Sequence, residues 1–179
     1  LRLQSSEVDD ERIVLMFEET QNRVISIAKL HEQMYSSDNL KEIEIKRHFI
    51  PLINDLVEEY QIGTKIDIDI DLCEAKMGAD TVVPLGLIIK EMISNSFKYA
   101  FAGRNEGVIK VHIQPLKDNF YEMIIGDDGV GMSLDFNFEE STSLGTQLIQ
   151  IFTEQLNGTI TRLEGSGTFF KIVFEKQDR

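Results

Sequence analysis

Residues 91–101 read EMISNSFKYAF, the end of an apolar run with helical spacing that includes Leu87, Ile88, Met92, Ile93 and Phe97. Within it Glu91 and Asn95 are four residues apart, which places their side chains one turn apart on one helix face, about 5–6 Å from each other at Cβ. One metal ion can be met by both. About thirty residues later comes GDDGVGM at 126–132, an acidic pair followed by Gly129 and Gly131, and GSGTFF at 165–170 sets Gly165, Gly167 and Thr168 ahead of a strand. An Asn-bearing helix, an Asp-x-Gly-x-Gly turn and a Gly-Thr strand entry, in that order, point to a nucleotide pocket.

Working outward, the helix covers about Thr81 to Phe101, with Pro84 in its first turn. Before it, KIDIDIDL at 65–72 alternates strictly, Ile66, Ile68, Ile70 and Leu72 on one face and Asp67, Asp69 and Asp71 on the other, as in a strand with one buried and one wet face. The acidic triplet is thus read as a solvated face. Strands near 107–116 and 120–127 form an antiparallel pair joined through Lys117 to Asn119. A polar loop follows over 129–143, then a helix from about 144 to 156 and a hairpin with strands near 158–164 and 168–175. Strands that neighbour each other in sequence, with helices on one side, predict an α+β domain: a two-layer α/β sandwich of mostly antiparallel sheet.

Toward the N-terminus the pattern changes. A helix is expected from about Arg47 to Tyr60, with Phe49, Ile50, Ile53, Leu56 and Val57 inward and Pro51 tolerated only in its first turn. Farther upstream Ile13, Phe17, Thr20, Val24, Ile27, His31 and Met34 repeat with 4-3-4-3-4-3 spacing, the narrow seam of a helix that packs on other helices. One helix cannot bury such a seam alone; the partner helix comes from an upstream segment, from a second copy of the chain or from both, and a homodimer through this segment is expected. The boundary falls near residue 40: one long dimerisation helix in 1–40, the α+β domain in 41–179.

The formal charge of −13 makes a phosphate-backbone partner such as nucleic acid a poor fit, since those contacts run on clustered Lys and Arg. With 42% hydrophobic residues in 179, a substantial core can be buried. The single cysteine, Cys73, excludes an internal disulfide and fits a reducing compartment, and no window approaches ~18 uninterrupted apolar residues. A cytoplasmic protein without membrane contact in this segment is therefore expected. The first residue is not Met, and the chain is read as a piece of something longer.

The candidate site residues follow from what a magnesium nucleotide requires. Mg²⁺ takes oxygen ligands and is commonly held by one or two protein oxygens plus the phosphates. Asn95 offers a neutral amide oxygen for that role, and Glu91 can order an attacking water or take a proton from a nucleophile. Asp127 ends a strand just before a turn, where a carboxylate can accept from the exocyclic amine of adenine, a donor guanine lacks at that position. Gly129 and Gly131 allow positive φ and close backbone approach. Ser143 and Gly145 precede a helix whose first amides would face phosphate, and Lys98, one turn beyond Asn95, can neutralise phosphate charge. Taken singly, Asn95 reads better as a buried hydrogen-bonded polar residue and DxGxG as an ordinary turn, and Lys98 is open to reading as a solvated lysine.

Together these motifs resemble the GHKL superfamily of ATPases and kinases, and within it the sensor histidine kinases whose phosphoacceptor segment is built around H-R-x-K-N-N. VPLGLIIKEMISNSFKYAF is similar to their Asn box, DDGVGM to the first glycine box, TSLGTQLI to the second and GSGTFFKIVF to the third. QNRVISIAKLHEQMYSSDNL at 21–40 resembles the second helix of their dimerisation and phosphotransfer domain. The resemblance implies a GHKL-type ATP-binding domain with ATP and Mg²⁺ as cofactors, Asn95 carrying the metal and Asp127 the adenine. It further implies Gly129, Gly131 and Gly145 as flexible walls and lid, Thr168 as a second contact near the base, and a response-regulator receiver domain as partner. Thr146 stands where the family usually has Leu, and no Phe box is recognisable in 132–144 despite Phe136 and Phe138. The resemblance places the acceptor histidine upstream of Leu1, so a fragment without its acceptor helix is expected, with His31, His48 and His112 packed or interfacial. Two other readings share the fold: a serine-kinase anti-sigma factor and a degenerate module that binds nucleotide or partner only. The seam at 13–34 favours the histidine kinase over the first, and the intact Asn95, Asp127, Gly129 and Gly131 count against the second.

Overall fold

The computed structural model describes residues 42–60, 65–133, 138, 141 and 143–177. The chain divides into two compact units, Leu1–Leu40 and Lys41–Arg179. The seam at 13–34 lies outside the described residues, and the sheet and helices of the fold belong to the second unit.

A five-stranded sheet forms one layer, in the order β2-β4-β5-β7-β6, with β2 (Lys65–Leu72), β4 (Glu106–Pro115), β5 (Phe120–Asp127), β6 (Thr159–Leu163) and β7 (Thr168–Glu175). β2 runs parallel to β4, and the other three pairings are antiparallel. Among the described residues three α-helices make the second layer: α1 (Ile45–Tyr60), α2 (Ala79–Asn95) and α3 (Leu144–Gln155). The alternation read in β2 holds, with Ile66 and Leu72 buried and Asp67, Asp69 and Asp71 exposed. The same face continues across the sheet through Ile109, Val111 and Ile113, Met123 and Ile125, and Phe170, Ile172 and Phe174, all buried. Against it lie Phe49 and Ile53 of α1, Leu85, Ile88, Ile89 and Ile93 of α2, and Ile149 of α3. This one apolar interface is the core, and its burial is the main term that holds the two layers together.

Several local expectations change. α1 starts at Ile45, so Pro51 lies in its second turn and removes one helical N–H; Ile50 is an exposed flank position, not an inward one. α2 likewise starts two residues early, at Ala79, which moves Pro84 out of the first turn. Its N-cap, Gly78, has no side chain to cap with, and the Gly78 carbonyl takes the amides of Thr81 and Val82 instead, at 3.0 Å each. A two-stranded ladder of β1 (Ile43–Glu44) with β3 (Lys76–Met77) was not foreseen; it ties the entry to α1 to the chain leaving β2. At its far end α2 widens into a π-helical turn, Ser96–Ala100, which continues directly from Asn95. Such single π turns are often found at functional sites.

Candidate nucleotide-binding site

β5 ends at Asp127 because the chain turns there through Asp128, Gly129, Val130 and Gly131. The carboxylate of Asp127 faces inward, 4% exposed, and both of its oxygens are held. Oδ1 accepts from the Gly129 amide at 3.1 Å, and Oδ2 lies 2.7 Å from the Ser96 hydroxyl, the first residue of the π turn. Burial raises the pKa of Asp127 above the usual carboxylate range; the Ser96 hydroxyl and the Gly129 amide oppose that, the charge of Asp128 adds to it, and the Thr168 amide again opposes it. Asp127 is thus an acceptor kept dry inside the protein and stabilised by donors on three sides.

The two acidic residues divide their work. Asp128 Oδ1 accepts from the Val108 amide at 2.8 Å, its carbonyl accepts from Arg104, and Arg104 Nη2 stands 3.7 Å from its Oδ2. Asp128 therefore fixes the turn to the start of β4, whereas Asp127 faces inward toward the end of α2.

Around Asp127 the backbone is packed too closely for side chains. A Cβ on Gly129 would lie 2.3 Å from the Ala100 carbonyl oxygen, and one on Gly167 would lie 2.0 Å from the Asp127 carbonyl oxygen. The Val130 amide then donates to the same Ala100 carbonyl at 2.9 Å, so the glycine turn is joined to the end of the π turn. Gly131 and Gly167 have φ of +80° and +79°, in the left-handed region that favours glycine. Gly129 is not among the positive-φ glycines, which corrects the expectation for it: that glycine is needed for contact with Ala100, not for an unusual φ. Thr168 opens β7 directly opposite Asp127 in the ladder.

Asn95 immediately precedes Ser96, so the Ser96–Asp127 bond brings the end of α2 to the end of β5. Asn95 is half-buried, and among the described residues its side-chain amide takes no hydrogen bond. Glu91, one turn earlier, is buried. Among the described residues no group of three or more His, Cys, Asp or Glu side chains could hold an ion alone. One neutral amide oxygen, as Asn95 offers, suits only an ion held mainly by oxygens from elsewhere, as Mg²⁺ is when it arrives with phosphates. Lys98 is exposed in the π turn.

The remaining candidates lie on α3, which packs against α2. Ser143 is the N-cap of this helix: its hydroxyl accepts from the Thr146 amide at 3.2 Å and lies 2.7 Å from the Thr146 hydroxyl. Gly145 is not ahead of the helix as expected but in its first turn, buried. With Thr146 taken by the cap, helix geometry leaves the amides of Leu144 and Gly145 as the first-turn donors for an anion. The unusual Thr146 is explained by the same contact, since its hydroxyl completes the cap. The stretch after Gly131 is held at its start by Arg162, whose guanidinium donates to the carbonyls of Met132 at 2.6 Å and Ser133 at 2.9 Å. Phe138 packs on Phe170 with ring centroids 5.0 Å apart, and its carbonyl accepts from Gln150 at 2.8 Å.

Gly167, read from the sequence as a glycine ahead of the Thr-led strand, is in place, whereas Ser96, Ala100 and Arg104 were not among the sequence candidates. The partners of these three lie about 24 to 31 residues away in sequence.

A buried carboxylate at a strand end, ringed by close-packed glycines and flanked by an Asn-bearing helix end, defines the class: a two-layer α/β nucleotide-binding domain. Residues 80–178 match the family model described as histidine kinase-, DNA gyrase B-, and HSP90-like ATPase, more than half of the chain, and the chain belongs to that family of ATP-binding domains. Residues 1–60 match a histidine kinase model. The chain is 26% identical over 164 residues to the sensor histidine kinase PdtaS of Mycolicibacterium smegmatis, covering 89% of this chain and 32% of that protein. It is 22% identical over 180 residues to blue-light-activated histidine kinase 2 of Erythrobacter litoralis, covering 96% of this chain and 50% of that one. It therefore spans a third to a half of the length of these relatives. The fold matches that of the histidine kinase domain of Erythrobacter litoralis EL346 with a TM-score of 0.77 at 17% identity, over 96% of this chain and 88% of that chain. Among the described residues no helix is long and apolar enough to cross a membrane.

Proposed function

We propose that this chain is the ATP-binding catalytic part of a two-component sensor histidine kinase, which directs the γ-phosphoryl of MgATP to a histidine and from there to an aspartate on a response-regulator receiver domain. The observation that carries the reading is the Asp127 carboxylate, buried and held at both oxygens beside the Asn95–Ser96 helix end. In this reading Asp127 accepts from the adenine amine, and Thr168 lies beside the base. Gly129 and Gly131 let the backbone approach the base and ribose. The α3 amides at Leu144 and Gly145, capped by Ser143, and the Lys98 ammonium take the phosphates. Asn95 is the protein ligand to Mg²⁺, and the ion when bound neutralises phosphate charge. Glu91 receives the proton of the attacking nucleophile or orders it through water. Catalysis then rests on positioning and charge neutralisation, as phosphoryl transfer requires.

Residues 1–40 serve as part of the dimerisation and phosphotransfer domain, with the 13–34 seam joining two chains. The match of residues 1–60 to a histidine kinase model supports this over an anti-sigma factor. Of the described histidines, His48 sits beside Phe49 in α1 with its Nε2 enclosed, and His112 Nε2 is 2.9 Å from Asp69 on the sheet, so neither is presented to the nucleotide. The deciding experiment is a calorimetric titration of the full chain with MgADP and MgGDP. The reading requires a clear preference for the adenine nucleotide; equal affinities would overturn it.

A further inference from the structure

Ser96 stands next to Asn95 in sequence yet points at Asp127, 31 residues away, through a bond of 2.7 Å. Its hydroxyl is also 3.2 Å from the Met92 carbonyl. A hydroxyl has one proton to donate, and the two acceptors compete for it. Ser96 is 4% exposed and Asp127 also 4%, so water cannot readily substitute for either partner. The shorter contact is to the carboxylate, whose other oxygen already takes the Gly129 amide.

We infer that Ser96 is a specificity-determining positioning residue: by donating to Oδ2 it holds Asp127 as an acceptor in one orientation, so that the site selects a base carrying an exocyclic amine. The inference rests on the proposed adenine role of Asp127. With donors at both oxygens, the carboxylate offers only lone pairs to the base. A base that presents a carbonyl at the same position, as hypoxanthine does, meets acceptor against acceptor. Without the Ser96 hydroxyl one oxygen loses its donor in a dry site. The carboxyl is then free to rotate and to carry its own proton, which it can donate to a carbonyl. The nearby charges do not replace this control. Among the described residues the charge that bears on Asp127 is that of Asp128, which is held by Val108 and Arg104 and only repels. The other donors to Asp127, from Gly129 and Thr168, are backbone amides, so Ser96 is its one side-chain donor among the described residues.

The test compares ADP with IDP, which differ by amine against carbonyl at that position, in calorimetric titrations of the full chain. Ser96→Ala should reduce the ADP-over-IDP preference about tenfold, the scale of one hydrogen bond to a charged group, chiefly through tighter IDP binding. Ser96→Thr, which keeps the hydroxyl, should restore the preference. If Ser96→Ala weakens both nucleotides equally, Ser96 is only structural and the inference fails. Asp127→Asn separates the two levels of argument. If it leaves the preference intact, the adenine role of Asp127 is wrong and the inference falls with it; if it abolishes the preference while Ser96→Ala does not, only the Ser96 inference is overturned. Should Ser96→Ala fold poorly, Ser96→Cys, a weaker donor of similar size, must give an intermediate preference, and an unchanged one overturns the inference.

Discussion

Replacing Gly129 by alanine tests the claim that the glycine turn is built for contact and not for freedom. The added Cβ would stand 2.3 Å from the carbonyl oxygen and 2.5 Å from the Cβ of Ala100, atoms of the π turn that cannot swing away as the tip of a long side chain would. Overpacking of this kind costs roughly 1–3 kcal/mol. Moving the turn away to relieve it also stretches the Val130–Ala100 hydrogen bond of 2.9 Å, a loss of about 1 kcal/mol. Alanine restricts the unfolded chain and returns roughly 0.4–1 kcal/mol. The net expectation for Gly129→Ala is a destabilisation of about 1–3.6 kcal/mol, centred a little above 2. Gly103→Ala is the matched control: φ is +76° there and nothing lies within 4 Å of the new atom. It should show only the left-handed backbone penalty, about 1 kcal/mol after the same offset.

The assay is equilibrium urea denaturation of both variants, paired with MgADP titration. Gly129→Ala should lose more stability than Gly103→Ala and bind ADP at least ~10-fold more weakly, because Asp127 takes the amide of Gly129 and moves with it. Gly103→Ala should bind as the parent does. Equal destabilisation of the two variants, or parental ADP affinity in Gly129→Ala, would refute the close-packing argument.

Asp127→Asn should weaken ADP binding while stabilising the nucleotide-free domain near neutral pH. The folded-state pKa of Asp127 is raised by burial above its ordinary 3.8, so its ionised form disfavours the folded state; that penalty is absent below the unfolded value and grows in as pH rises through the folded value. The stability gain of the variant should therefore fade as pH is lowered through that window, as read by thermal melts across a pH series; a gain independent of pH would contradict the assignment. Asn95→Ala should reduce nucleotide affinity with Mg²⁺ present and much less in EDTA, as measured by titration; equal losses in both would count against a metal role. Deleting residues 1–40 should leave a monomer by analytical ultracentrifugation that still binds ADP, since the core of 41–179 is closed within itself; a truncated dimer would move the dimer contact out of the seam.

The fold was legible wherever side-chain period and burial coincide. β2 could be read because its isoleucines and aspartates alternate without a break, and α2 because its apolar positions recur every three to four residues. What escaped was set by backbone geometry or by distant partners. β1 and β3 are two residues each, too short to have a period. The two prolines did not mark first turns, because each helix extends farther toward its N-terminus than the residues before the proline suggest. Asp127 and Asn95 were legible as site candidates by residue type and spacing. Gly129 was legible only as a glycine, since sequence does not separate a glycine needed for its φ from one needed for lack of a Cβ. Ser96 could not be found at all, for a serine in an apolar helix acquires meaning only when β5 brings Asp127 to it.

An ATP-binding chain with a formal charge of −13 has to hold a polyanion against its own average field. Long-range attraction cannot supply the affinity, so the favourable terms must be local and must act within a Debye length, about 8 Å at physiological salt. The structure supplies them unevenly. On the proposed base side the contacts are already made: Ser96 and Gly129 hold Asp127, Ala100 holds Val130, and Gly167 rests on the Asp127 carbonyl, so little ordering would remain for a base that binds there. On the proposed phosphate side stand a helix start whose cap uses the Thr146 amide and an exposed lysine, a set that would leave most charge neutralisation to a cation arriving with the nucleotide. If Asp127 takes the adenine amine as proposed, recognition is led by the base, and the acidic chain disfavours a phosphate compound that lacks such an amine.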